Sequence, residues 1–136
     1  MAKVFLDTNV IIYANDARDS VKQQRSIDLV TTSIREATGV VSTQVLQEYA
    51  VVASTKLAQD EDAILRQLHT LESMEVVLVN PPLIRRALEM SRRYRISYWD
   101  ACILAAAEHS RCSVVLSEDL NSGQLYATTR VENPFL

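Results

Sequence analysis

The feature that most constrains the fold of this chain is the alternation of four short valine-rich runs with longer segments of helical periodicity. Each run is too short for a helix and is rich in Val, which is typical of a buried β-strand. The runs are KVFL (3–6), GVVS (39–42), EVVLV (75–79) and SVVL (113–116). Because helical segments lie between them, we expect the strands to be joined by helical crossovers and to form a mostly parallel sheet.

The segments between the runs place apolar residues at helical spacing. Three of them have one apolar face: Ile27, Val30, Ile34 and Ala37; Ile64, Leu68 and Leu71; and Leu83, Ala87, Met90 and Tyr94. WDACILAAAEH (99–109) is apolar nearly all round and predicts a central buried helix. A weaker fifth strand is predicted near residues 128–131, and the lack of Asn-Gly and Asp-Gly pairs gives little support for tight hairpins. We therefore expect a single α/β domain over residues 1–136, with a sheet of four to five strands covered by helices on both faces.

Composition restricts the class of protein. The 136 residues are 48% hydrophobic, which is enough to build one core, and no stretch approaches the roughly 20 apolar residues of a membrane span. Cys102 and Cys112 lack the paired spacing of a zinc site or a disulfide framework. The net charge of −3 argues against a generally basic surface for nucleic acid but is compatible with a local basic patch. We expect a soluble, cytoplasmic protein that does not bind membranes.

Acidic residues follow the ends of three predicted strands. Asp7 comes directly after the first strand, Glu48 lies a few residues after the second, and Glu118 and Asp119 come just after the fourth. Asp100 lies at the start of the predicted buried helix. Ligands of an open parallel sheet bind in the crevice beyond the carboxyl ends of its strands. These acids are therefore candidates for one common site.

Two of these acids also have a purely structural explanation. Asp7 precedes Thr8 and Asn9 at the start of a predicted helix, where all three side-chain types can cap free amides. SYWD (97–100) has the Ser-x-x-Asp form of a capping box, which accounts for Asp100 about as well as a catalytic role does. The helix that follows is so apolar that it must be buried, and its first turn then opens into the crevice.

Several carboxylates in one crevice repel one another unless protons or metal ions intervene. Mg²⁺ prefers oxygen ligands and is commonly held by a few carboxylates together with water and substrate phosphate. Two such ions roughly 4 Å apart can activate a water and stabilise the leaving oxygen of a phosphodiester. The acids, without a set of His or Cys ligands, therefore indicate phosphodiester hydrolysis.

Four motifs in this order resemble those of PIN-domain ribonucleases, and specifically of VapC-like toxins from prokaryotic toxin–antitoxin pairs. The motifs are FLDTNVIIYA (5–14), STQVLQEYA (42–50), ISYWDACILAAA (96–107) and VVLSEDLNSG (114–123). The resemblance extends over essentially the whole chain and implies a single PIN-like domain. It also implies an endoribonuclease that acts on RNA, a small antitoxin protein as its inhibitor, and a homodimer.

The resemblance also implies roles residue by residue. The metal site, which is also the catalytic site, is implied to consist of Asp7, Glu48, Asp100 and Asp119, with Mg²⁺ as cofactor and Mn²⁺ as its substitute. Three further residues match supporting positions around these acids: Thr8, Asn9 and Ser117. The family's pattern of Ser or Thr, any residue, then Asp selects Asp119 and leaves Glu118 peripheral. Asn121 stands where some relatives have a further acid, which leaves open whether one or two ions bind.

Basic and aromatic residues are candidates for contact with RNA. Five arginines are clustered between positions 85 and 95: Arg85, Arg86, Arg92, Arg93 and Arg95. A solvated helix face is the ordinary explanation for such a cluster, but an acidic protein needs a local attraction for RNA phosphate. Among the aromatic residues that could stack on unpaired bases, we assign Trp99 to the core and leave the role of Tyr98 open. We expect His69 and His109 at the surface or in capping roles.

Two alternatives compete with a PIN-like ribonuclease. A phosphatase of the haloacid dehalogenase type also begins with a strand that ends in Asp, but it needs a second Asp two residues later, where this chain has Asn9. The other alternative is a catalytically silent PIN scaffold that binds RNA or a partner protein. Retention of all four acids favours catalysis, and RNA cleavage with and without EDTA distinguishes the two.

Overall fold

Six helices and six strands follow one another in the computed structural model, which describes residues 2–136. In chain order the elements are β1 (Val4–Leu6), α1 (Thr8–Ala14), α2 (Ser20–Arg35), β2 (Gly39–Ser42), α3 (Thr43–Thr55), α4 (Glu61–Leu71), β3 (Glu75–Val77), α5 (Pro81–Tyr94), α6 (Tyr98–His109), β4 (Val114–Leu116), β5 (Leu125–Tyr126) and β6 (Thr129–Glu132). The four valine-rich runs are confirmed as strands, and the apolar faces are confirmed as helices, except that α2 ends at Arg35 and leaves Ala37 outside it. The third strand ends at Val77, and the next residue, Leu78, is exposed to solvent.

The strands form one sheet in the order β3-β2-β1-β4-β6-β5. β1 lies between β2 and β4 and is parallel to both, with Val4 opposite Gly39 and Leu6 opposite Leu116. The β2–β3 and β4–β6 pairs are also parallel, and β5 is antiparallel to β6. The mostly parallel α/β architecture is confirmed. This strand order places the carboxyl ends of β1, β2 and β4 side by side.

The sheet has one strand more than the four to five expected, because β5 and β6 form a tight hairpin that the sequence did not indicate. Its turn at residues 127 and 128 contains no glycine, although Ala127 has a left-handed φ of 53°. Tertiary contacts stabilise the turn instead. The Tyr94 hydroxyl accepts a hydrogen bond of 2.8 Å from the backbone N–H of Ala127, and the buried Tyr126 ring packs edge-on against Tyr94.

The buried core surrounds α6, in which every residue from Ala101 to Ala107 is buried. This confirms the central buried helix. α5 and α6 pack as an antiparallel pair, in which Arg86 in the first half of α5 binds Glu108 near the end of α6. The short connection at residues 95–97 therefore brings the C-terminal end of α5 next to the first turn of α6.

The cysteines and histidines differ in their exposure. Cys102 and Cys112 are buried and carry free thiols. His69 and His109 are exposed, which confirms their expected place at the surface. Across residues 2–136, none of the helices combines the length and the apolar content that a membrane crossing requires.

Candidate active site

Asp7 lies where β1 ends and α1 begins. Its backbone is extended, and its Oδ1 accepts a hydrogen bond of 2.7 Å from the N–H of Thr8, so Asp7 is the N-cap of the helix. Its Oδ2 accepts a second bond of 2.7 Å from the Ser117 hydroxyl. Asp7 is only 5% exposed, which capping alone does not require. The residue therefore combines a capping role with a position inside the crevice.

A hydrogen-bonded network joins Asp7 to Asp119. The parallel pairing of β1 with β4 sets Asp7 and Ser117 next to each other at the end of the sheet. The Asn9 side-chain amide donates to Ser117 Oγ at 3.2 Å and to Asp119 Oδ2 at 3.1 Å. Ser117 Oγ also accepts a bond of 3.1 Å from the backbone N–H of Asp119. Asn9 and Ser117 thus hold the acids of the first and last motifs beside each other.

Glu48 joins the same network from the neighbouring strand. β2 ends at Ser42, whose hydroxyl caps α3, and Glu48 lies in the second turn of that helix. The Thr8 hydroxyl donates a hydrogen bond of 2.8 Å to Glu48 Oε1. Because Thr8 directly follows Asp7, it links these two acids.

Asp100 approaches from the first turn of α6, where Ser97 is the N-cap. The backbone N–H of Asp100 donates to Ser97 Oγ at 3.1 Å, as the capping-box pattern predicts. Burial raises the pKa of the half-buried Asp100 carboxyl, a hydrogen bond with Ser97 lowers it, and the negative charge of Asp119 raises it further. Asp100 therefore lies within electrostatic reach of Asp119.

The electrostatics of the crevice act strongly on Asp7. Its carboxyl has a pKa raised from 3.8 to about 6, chiefly by burial and against the lowering effect of hydrogen bonds from Ser117 and Thr8. The negative charges of Asp119 and Glu48 contribute to this increase. The structure thus brings all four predicted acids to one end of the sheet. We refer to this group, Asp7, Glu48, Asp100 and Asp119, as the acidic site.

The donor atoms of the acidic site are carboxylate oxygens, which suit a hard divalent cation such as Mg²⁺. Within residues 2–136, no three Asp, Glu, His or Cys side chains already lie in a metal-binding arrangement. Thr8 and Asn9 instead occupy Glu48 and Asp119 with hydrogen bonds. Mg²⁺ usually keeps several waters and binds through one or two carboxylates, so the residues fit this ion without forming a closed cage.

Glu118 binds outside the acidic site, to two residues that the sequence did not identify as its partners. Its carboxylate accepts a hydrogen bond of 2.6 Å from the Tyr13 hydroxyl and forms an ion pair of 3.0 Å with Lys22. Tyr13 lies one turn after Asn9 on α1, a spacing that places both on one face. Lys22 lies on α2, and no sequence signal connected it to Glu118.

The five arginines separate into two groups. Arg86 forms hydrogen bonds of 2.8 and 2.9 Å with Glu108 and one of 3.3 Å with Glu89, so its guanidinium stabilises the contact between α5 and α6. Arg85 is exposed beside it. The other three occupy the end of α5 that leads into α6: Arg92, Arg93 and Arg95. Only this second group lies near the first turn of α6, where Asp100 is located, because the connection between the two helices is short.

Trp99 is 64% exposed, so its assignment to the core is wrong. α6 is buried from Ala101 to Ala107, but its first turn extends beyond the core and turns Trp99 to solvent. Tyr98 is half-buried, with its ring 5.0 Å from that of Trp99 in an edge-on arrangement. Gln44, which the sequence did not single out, is buried and donates a hydrogen bond of 3.2 Å to the Trp99 carbonyl oxygen.

Comparison with solved structures finds the same fold in toxins of toxin–antitoxin systems. The sarcin-ricin loop cleaving toxin VapC20 of Mycobacterium tuberculosis is similar with a TM-score of 0.71 and 18% identity, over 86% of this chain and 92% of the toxin. A toxin–antitoxin complex from Klebsiella pneumoniae gives a TM-score of 0.70 and 20% identity, over 97% of this chain and 98% of the other. A DNA-bound VapBC complex from Salmonella typhimurium gives a TM-score of 0.70 and 18% identity, over 98% of this chain and 99% of the other.

Sequence comparison identifies the family. No curated protein sequence matches this chain significantly. The family model of the PIN domain matches residues 4–126, which include all four members of the acidic site. The chain therefore belongs to the PIN domain family.

Proposed function

We propose that the chain is a divalent-metal-dependent endoribonuclease that hydrolyses RNA phosphodiester bonds and acts as the toxin of a type II toxin–antitoxin pair. The observation that carries this proposal is the meeting of Asp7, Glu48 and Asp119 in one hydrogen-bonded network, with Asp100 within electrostatic reach. Membership of the PIN domain family and likeness to VapC20 support it. We place this activity in the cytoplasm, where the RNA substrate is found.

The residues of the acidic site would hold Mg²⁺, for which Mn²⁺ can substitute. When bound, the ion supplies a water of lowered pKa and neutralises negative charge. The supporting residues act on the acids. Ser117 and the Thr8 N–H each bind one oxygen of Asp7, and Asn9 holds Asp119. Such contacts orient metal ligands before the metal arrives.

The RNA substrate must approach an acidic crevice on a protein whose net charge is −3. Nearby cations offset the repulsion between the acids and phosphate. We propose that three arginines at the end of α5 bind the RNA backbone beside Asp100: Arg92, Arg93 and Arg95. Arg86 contributes to the fold instead, because Glu108 and Glu89 already bind it.

A small antitoxin protein is the proposed inhibitor, and a homodimer is the proposed assembly. The antitoxin partner is supported by the similarity to the toxin–antitoxin complex from Klebsiella pneumoniae and to the VapBC complex from Salmonella typhimurium. Co-expression with the product of an adjacent short reading frame should give a stable complex and suppress RNA cleavage. Light scattering of the purified chain alone should give twice the 15.3 kDa of one copy.

Cleavage of single-stranded RNA by the purified chain tests the proposed function. In millimolar Mg²⁺ the chain should cut internal phosphodiester bonds. Excess EDTA should stop cleavage, and added Mg²⁺ or Mn²⁺ should restore it. Cleavage that continues unchanged in EDTA would contradict the metal site, and RNA binding without cleavage under all conditions would contradict the enzyme.

A catalytically silent PIN scaffold is the second candidate, and one observation favours it. Among residues 2–136, no three acids are already arranged for a metal ion. A scaffold predicts that Mg²⁺ leaves the melting temperature unchanged, whereas a metal-dependent nuclease predicts an increase for the wild type and little increase for Asp119→Asn. Thermal melts with and without Mg²⁺ separate the two candidates without any choice of RNA sequence.

A further inference from the structure

Trp99 presents a large aromatic surface beside the acidic site. It is the only tryptophan of the chain, and it is 64% exposed. Tyr98 packs against it edge-on, with 5.0 Å between the ring centroids, which restrains the indole while most of its surface faces solvent. An exposed apolar side chain by itself is ordinary on a protein surface. The groups around Trp99 distinguish it from an ordinary exposed apolar residue.

Trp99 lines a pocket of about 270 Å³ together with Gln44, Gln47 and Glu48. Glu48 belongs to the acidic site and accepts the hydrogen bond of 2.8 Å from the Thr8 hydroxyl. Whatever enters the pocket therefore lies next to a residue that we assign to the catalytic centre.

Gln44 provides an independent observation. It is 6% exposed, and its Nε2 donates to the Trp99 carbonyl oxygen at 3.2 Å. Its Oε1 is buried and has no hydrogen-bond donor in the part of the chain that the structure describes. A buried acceptor without a donor is costly to the fold and calls for an explanation. Because the Gln44 side chain lines the pocket, a rotation of its amide would present this oxygen to an N–H group of a ligand.

We propose that this pocket binds one unpaired nucleobase of the RNA, adjacent to the phosphodiester bond that is cut; the inference rests on the proposed function. The indole of Trp99 stacks on the face of the base, and the amides of Gln44 and Gln47 contact its edge. Gln44 Oε1 accepts a hydrogen bond from a base N–H. The negative charge of Glu48 disfavours phosphate in the pocket, so the base enters and the backbone stays outside.

A protein side chain is the competing occupant of the pocket. Two features favour a base. The first is the combination of an aromatic wall with two amide side chains, which matches the flat face and polar edge of a nucleobase. The second is the contact with Glu48, because RNA must lie against the acidic site during cleavage.

Trp99 fluorescence tests the proposal directly, because the emission of the only tryptophan comes from this pocket. The probe is a random-sequence, single-stranded RNA octamer titrated into the wild-type protein in EDTA. An abasic octamer of ribose phosphates is the control. Stacking should quench the emission saturably with RNA and leave it unchanged with the abasic octamer. Quenching by both octamers, or by neither, would overturn the proposal.

Substitutions of Trp99 separate stacking from simple apolar contact. Trp99→Leu should weaken binding of a labelled octamer by about 10-fold, and Trp99→Phe should restore most of the affinity, since any aromatic face can stack. Leu65→Ala removes an exposed apolar side chain from α4 and is the matched control, which should bind like the wild type. The melting temperatures of the two Trp99 variants and of Leu65→Ala should stay near that of the wild type. Equal affinities of Trp99→Leu and the wild type would overturn the subsite.

Gln44→Met tests the buried acceptor at similar side-chain volume. It should weaken octamer binding several-fold and lower the melting temperature by a few degrees at most, because it removes the Nε2 bond to the Trp99 carbonyl oxygen together with a buried oxygen that has no donor. An unchanged affinity of Gln44→Met for the octamer would show that Gln44 Oε1 does not contact the base.

The cleavage assay keeps this inference separate from the proposed function. Cleavage that is lost in Asp119→Asn but unchanged in Trp99→Leu would leave the proposed function standing and overturn the subsite. A wild type that neither cleaves nor binds RNA would overturn both. Trp99 emission that responds to the antitoxin but not to RNA would assign the pocket to the protein partner and overturn the subsite.

Discussion

Asp7 combines two roles that most aspartates perform separately. It caps α1 through Oδ1 and binds Ser117 through Oδ2. Burial, together with the charges of Asp119 and Glu48, raises its pKa to about 6. At neutral pH the folded protein therefore holds a carboxylate where its negative charge is disfavoured. Such a perturbed acid in a crevice is typical of functional sites.

The pH dependence of stability should reveal the raised pKa of Asp7. A carboxyl with a pKa of 3.8 when unfolded and about 6 when folded binds its proton more tightly in the folded state. This favours folding at low pH, and the advantage is lost as pH rises through about 6. The shift corresponds to about 3 kcal/mol. In EDTA, Asp7→Asn should therefore gain stability relative to the wild type as pH rises, because Asn caps as well as Asp without the charge.

Urea unfolding of both proteins in EDTA, from about pH 4 to about pH 7, measures this difference. Both proteins share every other titrating group, so the difference in unfolding free energy reports Asp7 together with its coupling to Asp119 and Glu48. A difference that stays constant with pH would show that Asp7 does not carry the raised pKa. Mg²⁺ added at neutral pH should raise the melting temperature of the wild type more than that of Asp7→Asn.

Ser117 should matter to stability because of its position under the acidic site. Its hydroxyl is fully buried, donates to Asp7 Oδ2 at 2.7 Å and accepts from the Asp119 N–H at 3.1 Å. Ser117→Ala leaves the buried Asp7 Oδ2 without this donor, which should cost roughly 1–3 kcal/mol. Ser113→Ala, at the exposed residue before β4, is the matched control and should cost little. Urea denaturation in EDTA measures the unfolding free energy of both variants. Equal losses of stability in Ser117→Ala and Ser113→Ala would contradict the hydrogen-bonded network.

At the scale of elements, the helical pair α5–α6 connects the basic cluster to the acidic site. Arg95 follows α5 as its C-cap in the left-handed conformation, with φ of 55°, and the chain then reverses into the N-cap Ser97. At the other end of the helix pair, the ion pair between Arg86 and Glu108 joins the N-terminal half of α5 to the C-terminal end of α6. The helix pair therefore separates Arg86, which stabilises the fold, from the three arginines that we propose bind RNA, at opposite ends of α5.

The two groups of arginines should differ in their effect on RNA binding. Replacing Arg92, Arg93 and Arg95 together with Gln should flatten the dependence of log affinity on log salt by about 2, because each phosphate contact contributes roughly 0.7 for single strands. Arg86→Gln is the control from the same helix. It should leave the salt slope unchanged and lower the melting temperature, since it breaks the pair with Glu108.

Titration of the RNA octamer at several salt concentrations measures these slopes. An unchanged slope for the triple variant would identify the cluster as a solvated helix face. A slope that changes equally in Arg86→Gln would show that the division into two groups is incorrect.

The elements also show what a local pattern can and cannot predict. Runs of Val and helical periodicity are local, and they predicted β1 to β4 and the central helix. The hairpin of β5 and β6 depends on Tyr94, which lies 33 residues from Ala127, so its turn carries no local signal. Trp99 was misassigned because an apolar pattern identifies a buried helix but does not show where that helix leaves the core.

At the scale of the whole molecule, the parallel sheet gathers residues that are far apart in sequence. Asp7 and Asp119 meet because β1 and β4 pair, and Glu48 joins them from the helix that follows β2. The location of ligand sites beyond the carboxyl ends of strands is a general property of such sheets, so the sequence could predict this convergence. The pairing of Lys22 with Glu118 could not be predicted, because it depends on how α2 packs beside the last motif.

RNA cleavage by two variants of adjacent acids tests the central claim most directly. Asp119 belongs to the acidic site, whereas Glu118 pairs with Tyr13 and Lys22 outside it. Asp119→Asn and Glu118→Gln make the same chemical change, from carboxylate to amide. In Mg²⁺, Asp119→Asn should lower the single-turnover cleavage rate by a factor on the order of 100 or more, and Glu118→Gln should stay within a few-fold of the wild type. Equal cleavage rates for the two variants would contradict the assignment of the acidic site.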